Sequence, residues 1–127
     1  MTFFFASDHA AVGLKNHLLE SLEQEGHGVL DLTPENNPAE HYSDAADRVA
    51  QNVLSGEGVG VLMCGTGLGT LMRANRHKGI RAALVTNSYL SEMARRHNDA
   101  NVIVFGSRLT TPEMAQRYLD VFITTEF

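Results

Sequence analysis

A parallel β-sheet covered by helices on both faces is predicted by three features of the 127-residue sequence. Five short apolar runs recur along the chain, at 3–6, 29–32, 59–63, 82–85 and 102–105. They lack clean alternation, which is how strands buried on both faces read. Between and after them lie stretches with helical spacing, and strand–helix alternation of this kind builds a five-stranded parallel α/β sheet.

The helices follow in order. In the first, Val12, Leu14, Leu18, Leu19 and Leu22 make an apolar face, and Lys15, Asn16, Glu20 and Glu23 a polar one. Gly26 supplies its stop. Ala45, Val49 and Val53 repeat at i, i+4 and i+8 in the second. The third begins near Leu68. The fourth ends in Arg95-Arg96-His97-Asn98-Asp99, a basic run that complements the helix dipole in the simplest reading. Thr110/Thr111-Pro112-Glu113 opens the fifth, with a hydroxyl cap ahead of a first-turn proline.

The length fits one domain, residues 1–127, which can bury a core without disulfides or a structural metal. A net charge of -5 argues against nucleic acid as a partner but leaves room for a small anion in a locally basic pocket. The single cysteine excludes an intrachain disulfide and suits a reducing compartment. The opening Met1-Thr2-Phe3-Phe4-Phe5-Ala6-Ser7-Asp8-His9 lacks the basic start of a signal peptide. No apolar run approaches the ~20 residues of a membrane span. A cytoplasmic protein is the expectation.

Ligands of such sheets bind at the carboxyl ends of the strands. Those ends carry Ser7-Asp8-His9, Leu32-Thr33, Cys64-Gly65-Thr66-Gly67-Leu68-Gly69, Thr86-Asn87 and Gly106-Ser107-Arg108. The third is the most informative. Its alternating glycines leave backbone N–H groups uncovered, and the helix behind it favours negative charge at its start. It reads either as an anion cradle beside a thiol or as a tight turn with Cys64 a buried small hydrophobe. G-x-G-x-G spacing after the third strand is not the dinucleotide fingerprint, and no Gly-Lys-Ser/Thr follows to make a P-loop. A cysteine phosphatase would place an arginine at the end of the loop, whereas the first arginine here is Arg73, well inside the helix. Asp8-His9, His97-Asn98 and Arg108 are candidate companions; a surface salt bridge is the plainer reading of Arg108. His9, His41 and His97 show no HxH or HxxxH spacing, so no metal site is expected.

Taken together these segments resemble the family of ribose-5-phosphate isomerase B and the galactose-6-phosphate isomerase subunits. The likeness runs through Ser7-Asp8-His9, Leu14-Lys15, Gly26-His27, Cys64-Gly65-Thr66-Gly67-Leu68-Gly69, Ala74-Asn75, Gly79-Ile80-Arg81-Ala82-Ala83, His97-Asn98-Asp99-Ala100-Asn101-Val102 and Phe105-Gly106-Ser107-Arg108. It implies a Rossmann-like three-layer fold and an aldose–ketose isomerase acting on a sugar phosphate through an enediolate, with no redox cofactor or metal. It also implies a homodimer or dimer of dimers with shared active sites, His97 and Asn98 coming from the partner.

By resemblance, Cys64 is the base that moves the C2 proton to C1. Some members use a glutamate just after the last loop glycine; Thr70 stands there in this chain. Thr66 and the amides of Gly65, Gly67, Leu68 and Gly69 resemble the enediolate hole. His97 resembles the acid that opens the furanose ring, with Asp8 nearby. His9 and Arg108 resemble phosphate or sugar contacts, and Asn98 a hydroxyl contact. Two departures bear on the substrate. Members usually carry an arm past the last helix whose arginines clamp the phosphate, whereas this sequence closes on Thr125-Glu126-Phe127; and their Asp-Tyr-Pro reads His41-Tyr42-Ser43. The expectation is that His9, Arg108 and other basic residues hold the phosphate, or that the substrate differs in length. A non-catalytic sugar-phosphate-binding protein, a subunit needing an unlike partner, and a thiol-dependent enzyme or redox switch are the alternatives.

Overall fold

The computed structural model describes all of residues 1–127. Five strands, β1 (Thr2–Ser7), β2 (Gly28–Asp31), β3 (Gly58–Cys64), β4 (Ala82–Leu84) and β5 (Val102–Gly106), form one sheet in the order β2-β1-β3-β5-β4. Every pairing is parallel. Five helices connect and follow them: α1 (Val12–Gln24), α2 (Tyr42–Ser55), α3 (Leu68–Ala74), α4 (Ser88–Arg96) and α5 (Pro112–Thr124).

Alternate residues of the central strands feed two cores, because successive side chains point to opposite faces. Phe3, Phe5, Val61, Met63, Ile103 and Phe105 pack under α1, α4 and α5. Phe4, Ala6, Leu62, Val102 and Val104 pack under α2 and α3. This two-sided burial explains the unbroken apolar runs in β1, β3 and β5. The edge strands differ. β2 alternates exposed and half-buried residues, and β4 is half-buried throughout, so the two-sided expectation fails at both edges. An edge strand has one neighbour fewer to cover it.

Two expectations for α1 also change. Val12 is exposed, and Lys15, assigned to the polar face, is 2% exposed. Its Nζ donates to Asp31 Oδ1 at 3.0 Å and to the Thr33 carbonyl at 2.7 Å. A buried ammonium persists only with such partners. Thr33 Oγ1 in turn accepts the Ser7 N–H at 3.1 Å, so the network steadies the carboxyl end of β1. α5 starts as predicted, with the Thr111 hydroxyl accepting the Met114 N–H at 3.2 Å.

β1 connects outward to β2 on one side, while β3 lies on its other side. The crevice at the carboxyl ends of β1 and β3 is therefore the topological switch point, where open α/β sheets bind ligands.

Candidate active site

The segments after β1, β3 and β5 converge at that crevice. The Ser107 N–H donates to the Cys64 carbonyl and the Arg108 N–H to the Gly65 carbonyl, each at 2.9 Å, which continues the β3–β5 ladder into the loops. Ser107 Oγ donates to the Ala10 carbonyl at 2.9 Å and ties the β5 loop to the β1 loop. Asp8 Oδ1 accepts the Ala10 N–H at 3.0 Å and caps a short 3-10 turn at His9–Ala11. The resulting cleft of about 300 Å³ is lined by Asp8, His9, Tyr42, Cys64, Thr66 and Arg108, among others.

Cys64 forms the floor and is 5% exposed. Gly67 turns the chain at φ +81°, a conformation only glycine adopts without strain, and α3 begins at the next residue. The Leu68 N–H donates to Thr66 Oγ1 at 3.2 Å, so that amide is engaged inside the loop. The N–H groups of Gly65, Thr66, Gly67 and Gly69 find no acceptor in the chain. Gly65 and Gly67 are buried, Gly69 is half-buried and Thr66 is exposed; successive unpaired amides beside a cleft can receive an anionic oxygen.

Arg108 lies across Gly65, where a Cβ would stand only 3.0 Å from Nη1. It is exposed and pairs with no carboxylate, so the salt-bridge reading of this residue fails. His9 is exposed on the opposite lip. Tyr42 was missed as a site residue in the sequence. Its ring covers Gly69, with the position of a Cβ there 2.7 Å from the ring, and only the nearby His41-Tyr42-Ser43 departure drew notice to it. Asp47 holds α2, which carries Tyr42, against α3 and the segment after it. It accepts from Arg73 Nε at 2.8 Å and stands 2.7 Å from His77 Nε2. The Arg73 guanidinium, then His77, keeps the Asp47 carboxyl below its ordinary value of 3.8 against the opposing effect of burial.

His97 and Asn98 are not in this cleft. α4 ends at Arg96, and the segment after it enters β5 at Val102, the end opposite Gly106. Those two positions lie about 13 Å apart at ~3.3 Å per residue. Both side chains are exposed and hydrogen-bond to nothing in the chain. The turn beneath them is clamped: Asp99 sits at φ +47°, its Oδ1 accepts from Arg95 Nη1 at 2.9 Å, and its carbonyl accepts from Arg81 Nε at 2.7 Å. Arg95 is thus a bracing group and not part of a freely solvated helix end. No three His, Cys, Asp or Glu side chains stand together as a metal-ligand group. No helix is long and apolar enough to cross a membrane.

A thiol at the floor of a switch-point cleft, amide donors beside it and a guanidinium without a carboxylate partner at the rim are groups that can serve proton transfer on a small anionic substrate. The comparisons give that class its family. Residues 3–127 match the family model described as Ribose/Galactose Isomerase. The chain is 41% identical to the probable ribose-5-phosphate isomerase B of Mycoplasma pneumoniae, over 98% of this chain and 83% of that protein. It is similar to the solved ribose-5-phosphate isomerase B of Clostridium thermocellum, with a TM-score of 0.95, 39% identity, and coverage of 100% of this chain and 86% of that one. It is also similar to the Mycoplasma genitalium ribose-5-phosphate isomerase B solved with bound ribulose-5-phosphate, with a TM-score of 0.87, 37% identity, and coverage of 99% and 85%. The chain belongs to the ribose/galactose isomerase family and is an aldose–ketose sugar-phosphate isomerase.

Proposed function

We propose that the chain interconverts ribose 5-phosphate and ribulose 5-phosphate in the cytoplasm, with residues 1–127 acting as one domain and the active site shared between two copies. Cys64 is the base. As thiolate it takes the C2 proton of the open-chain aldose, and the same proton, or one from solvent, returns to C1. The negative charge that develops on the C1 oxygen is met by the free amides of the 65–69 loop and by the Thr66 hydroxyl. Arg108 and His9 hold the phosphate at the rim, the guanidinium offering paired donors that match its oxygens. Tyr42 closes the side of the cleft over Gly69.

Ring opening needs an acid, and the cleft of one chain has no second free histidine beside His9. His97 of the partner supplies it in this account, with Asn98 on a sugar hydroxyl. Support comes from their exposure, their lack of partners and the clamp that fixes their turn.

The observation that carries the proposal is the buried Cys64 thiol set beside unpaired loop amides. The direct test is turnover of ribose 5-phosphate, and of tetrose and hexose phosphates alongside it, by the purified chain. Ribose 5-phosphate is expected to react fastest. Cys64→Ala is expected to lower kcat by about a thousandfold with little change in KM. Normal turnover by Cys64→Ala would remove Cys64 from the chemistry.

A further inference from the structure

Thr70 follows the last glycine of the loop, and nothing above gives it a role. It is fully buried in the first turn of α3. Its Oγ1 lies 3.5 Å from Cys64 Sγ and 3.1 Å from the Gly67 carbonyl oxygen. A hydroxyl has one proton and two lone pairs, so it can donate to only one of these acceptors at a time. The charge on the sulfur decides which.

We propose that Thr70 is a hydroxyl rotor that follows the protonation state of Cys64. When Cys64 is a thiolate, the Thr70 O–H donates to the sulfur. When Cys64 carries the proton, the S–H points to Thr70 Oγ1 and the O–H turns to the Gly67 carbonyl. That carbonyl already accepts the Leu71 N–H at 2.9 Å, so it keeps a partner when the hydroxyl turns away. The turn therefore leaves no buried carbonyl without a donor, which would otherwise oppose it. Thr70 itself is fully buried, so its side of the sulfur has no water to replace the hydroxyl. A charge-assisted donation is also stronger than a neutral one, so the rotor favours the thiolate that begins each cycle.

The inference rests on the reading of Cys64 as base. The proton balance is closed: the thiolate becomes a thiol on taking the C2 proton and a thiolate again on giving one to C1. The hydroxyl turns once in each direction and needs no co-reactant.

The chain has a single cysteine, so ultraviolet thiolate absorbance corrected with Cys64→Ala reports on Cys64 alone. Wild type, Thr70→Ser and Thr70→Val are to be titrated this way, and kcat on ribose 5-phosphate measured across the same pH range. Thr70→Val is expected to move the thiolate midpoint and the acid limb of kcat upward together by about one pH unit. Its kcat is then about tenfold low on the acid side and near wild type on the alkaline side. Thr70→Ser should leave both profiles in place. If Thr70→Val folds poorly, Thr70→Ala must show the same shift. A wild-type thiolate midpoint in the folded variant, or a kcat loss equal at every pH, overturns the rotor. Full turnover by Cys64→Ala would overturn the base assignment instead, and the thiolate shift in Thr70→Val would still be visible.

Discussion

The 64–70 loop is packed against other side chains of its own chain, whereas the 97–99 turn offers two polar side chains to which the chain supplies nothing. The first region has Gly65 under Arg108, Gly69 under Tyr42, and Cys64 against Thr70. The second has Arg81 and Arg95 bound to Asp99, while the His97 and Asn98 side chains are exposed and without hydrogen-bond partners. Both are tied by contacts within the chain, but only the first has its key side chain, Cys64, buried. In the proposed reading one chain holds the base and its anion cradle and, at the far end of β5, an acid that has nothing to act on within that chain. A second copy would supply the missing partner to each end.

The difference can be broken first at the exposed end. His97→Ala is expected to cost about a hundredfold in kcat/KM on ribose 5-phosphate, whose solution form is a closed ring. The reverse kcat/KM, on ribulose 5-phosphate, must fall by the same factor, because the equilibrium constant fixes the ratio of the two directions. A tetrose 4-phosphate has no free hydroxyl placed to close a ring, so the loss on it should be less than about threefold. Assays on the two aldoses separate these values, and an equal loss on both would assign His97 to the enediolate step or to structure.

The enclosed end yields a smaller effect. Asp47→Asn weakens the clamp between α2, with its Tyr42, and the α3 side of the cleft. Because the folded-state carboxyl titrates below 3.8, its stabilisation is fully present above that value and fades as pH falls through the lower, folded one. The variant should therefore melt at most about 3 °C below wild type at pH 7, as expected for a partly exposed ion pair. The gap should close at strongly acidic pH. Thermal melts across the acid range check this, and a gap that widens toward acid would contradict the assigned sign.

Much of this was legible in the sequence, for reasons specific to each part. The central strands carry apolar residues on both faces, so β1, β3 and β5 read clearly as buried runs. The glycine spacing after β3 marked the loop because Gly67 needs its positive φ. Lys15 was misplaced because helical periodicity puts it on the polar face. Only the fold brings Asp31 and Thr33 near enough to satisfy a buried ammonium. Tyr42 was passed over because its contact with Gly69 joins α2 to the β3 loop, a pairing that local pattern cannot show. The separation of His97 from Cys64 in one chain follows from β5 running between them. The family likeness, not residue spacing, supplied the expectation of a shared site.

The most direct test of the shared site is complementation between two inactive variants, Cys64→Ala and His97→Ala. Each alone has only damaged sites. In a hybrid pair, one site would combine both lesions and the other would be intact. After subunit exchange in an equal mixture, about a quarter of wild-type activity on ribose 5-phosphate should return. Exchange verified by mass or label, with activity no higher than the sum of the two separate variants, would contradict a site built from Cys64 of one copy and His97 of the other.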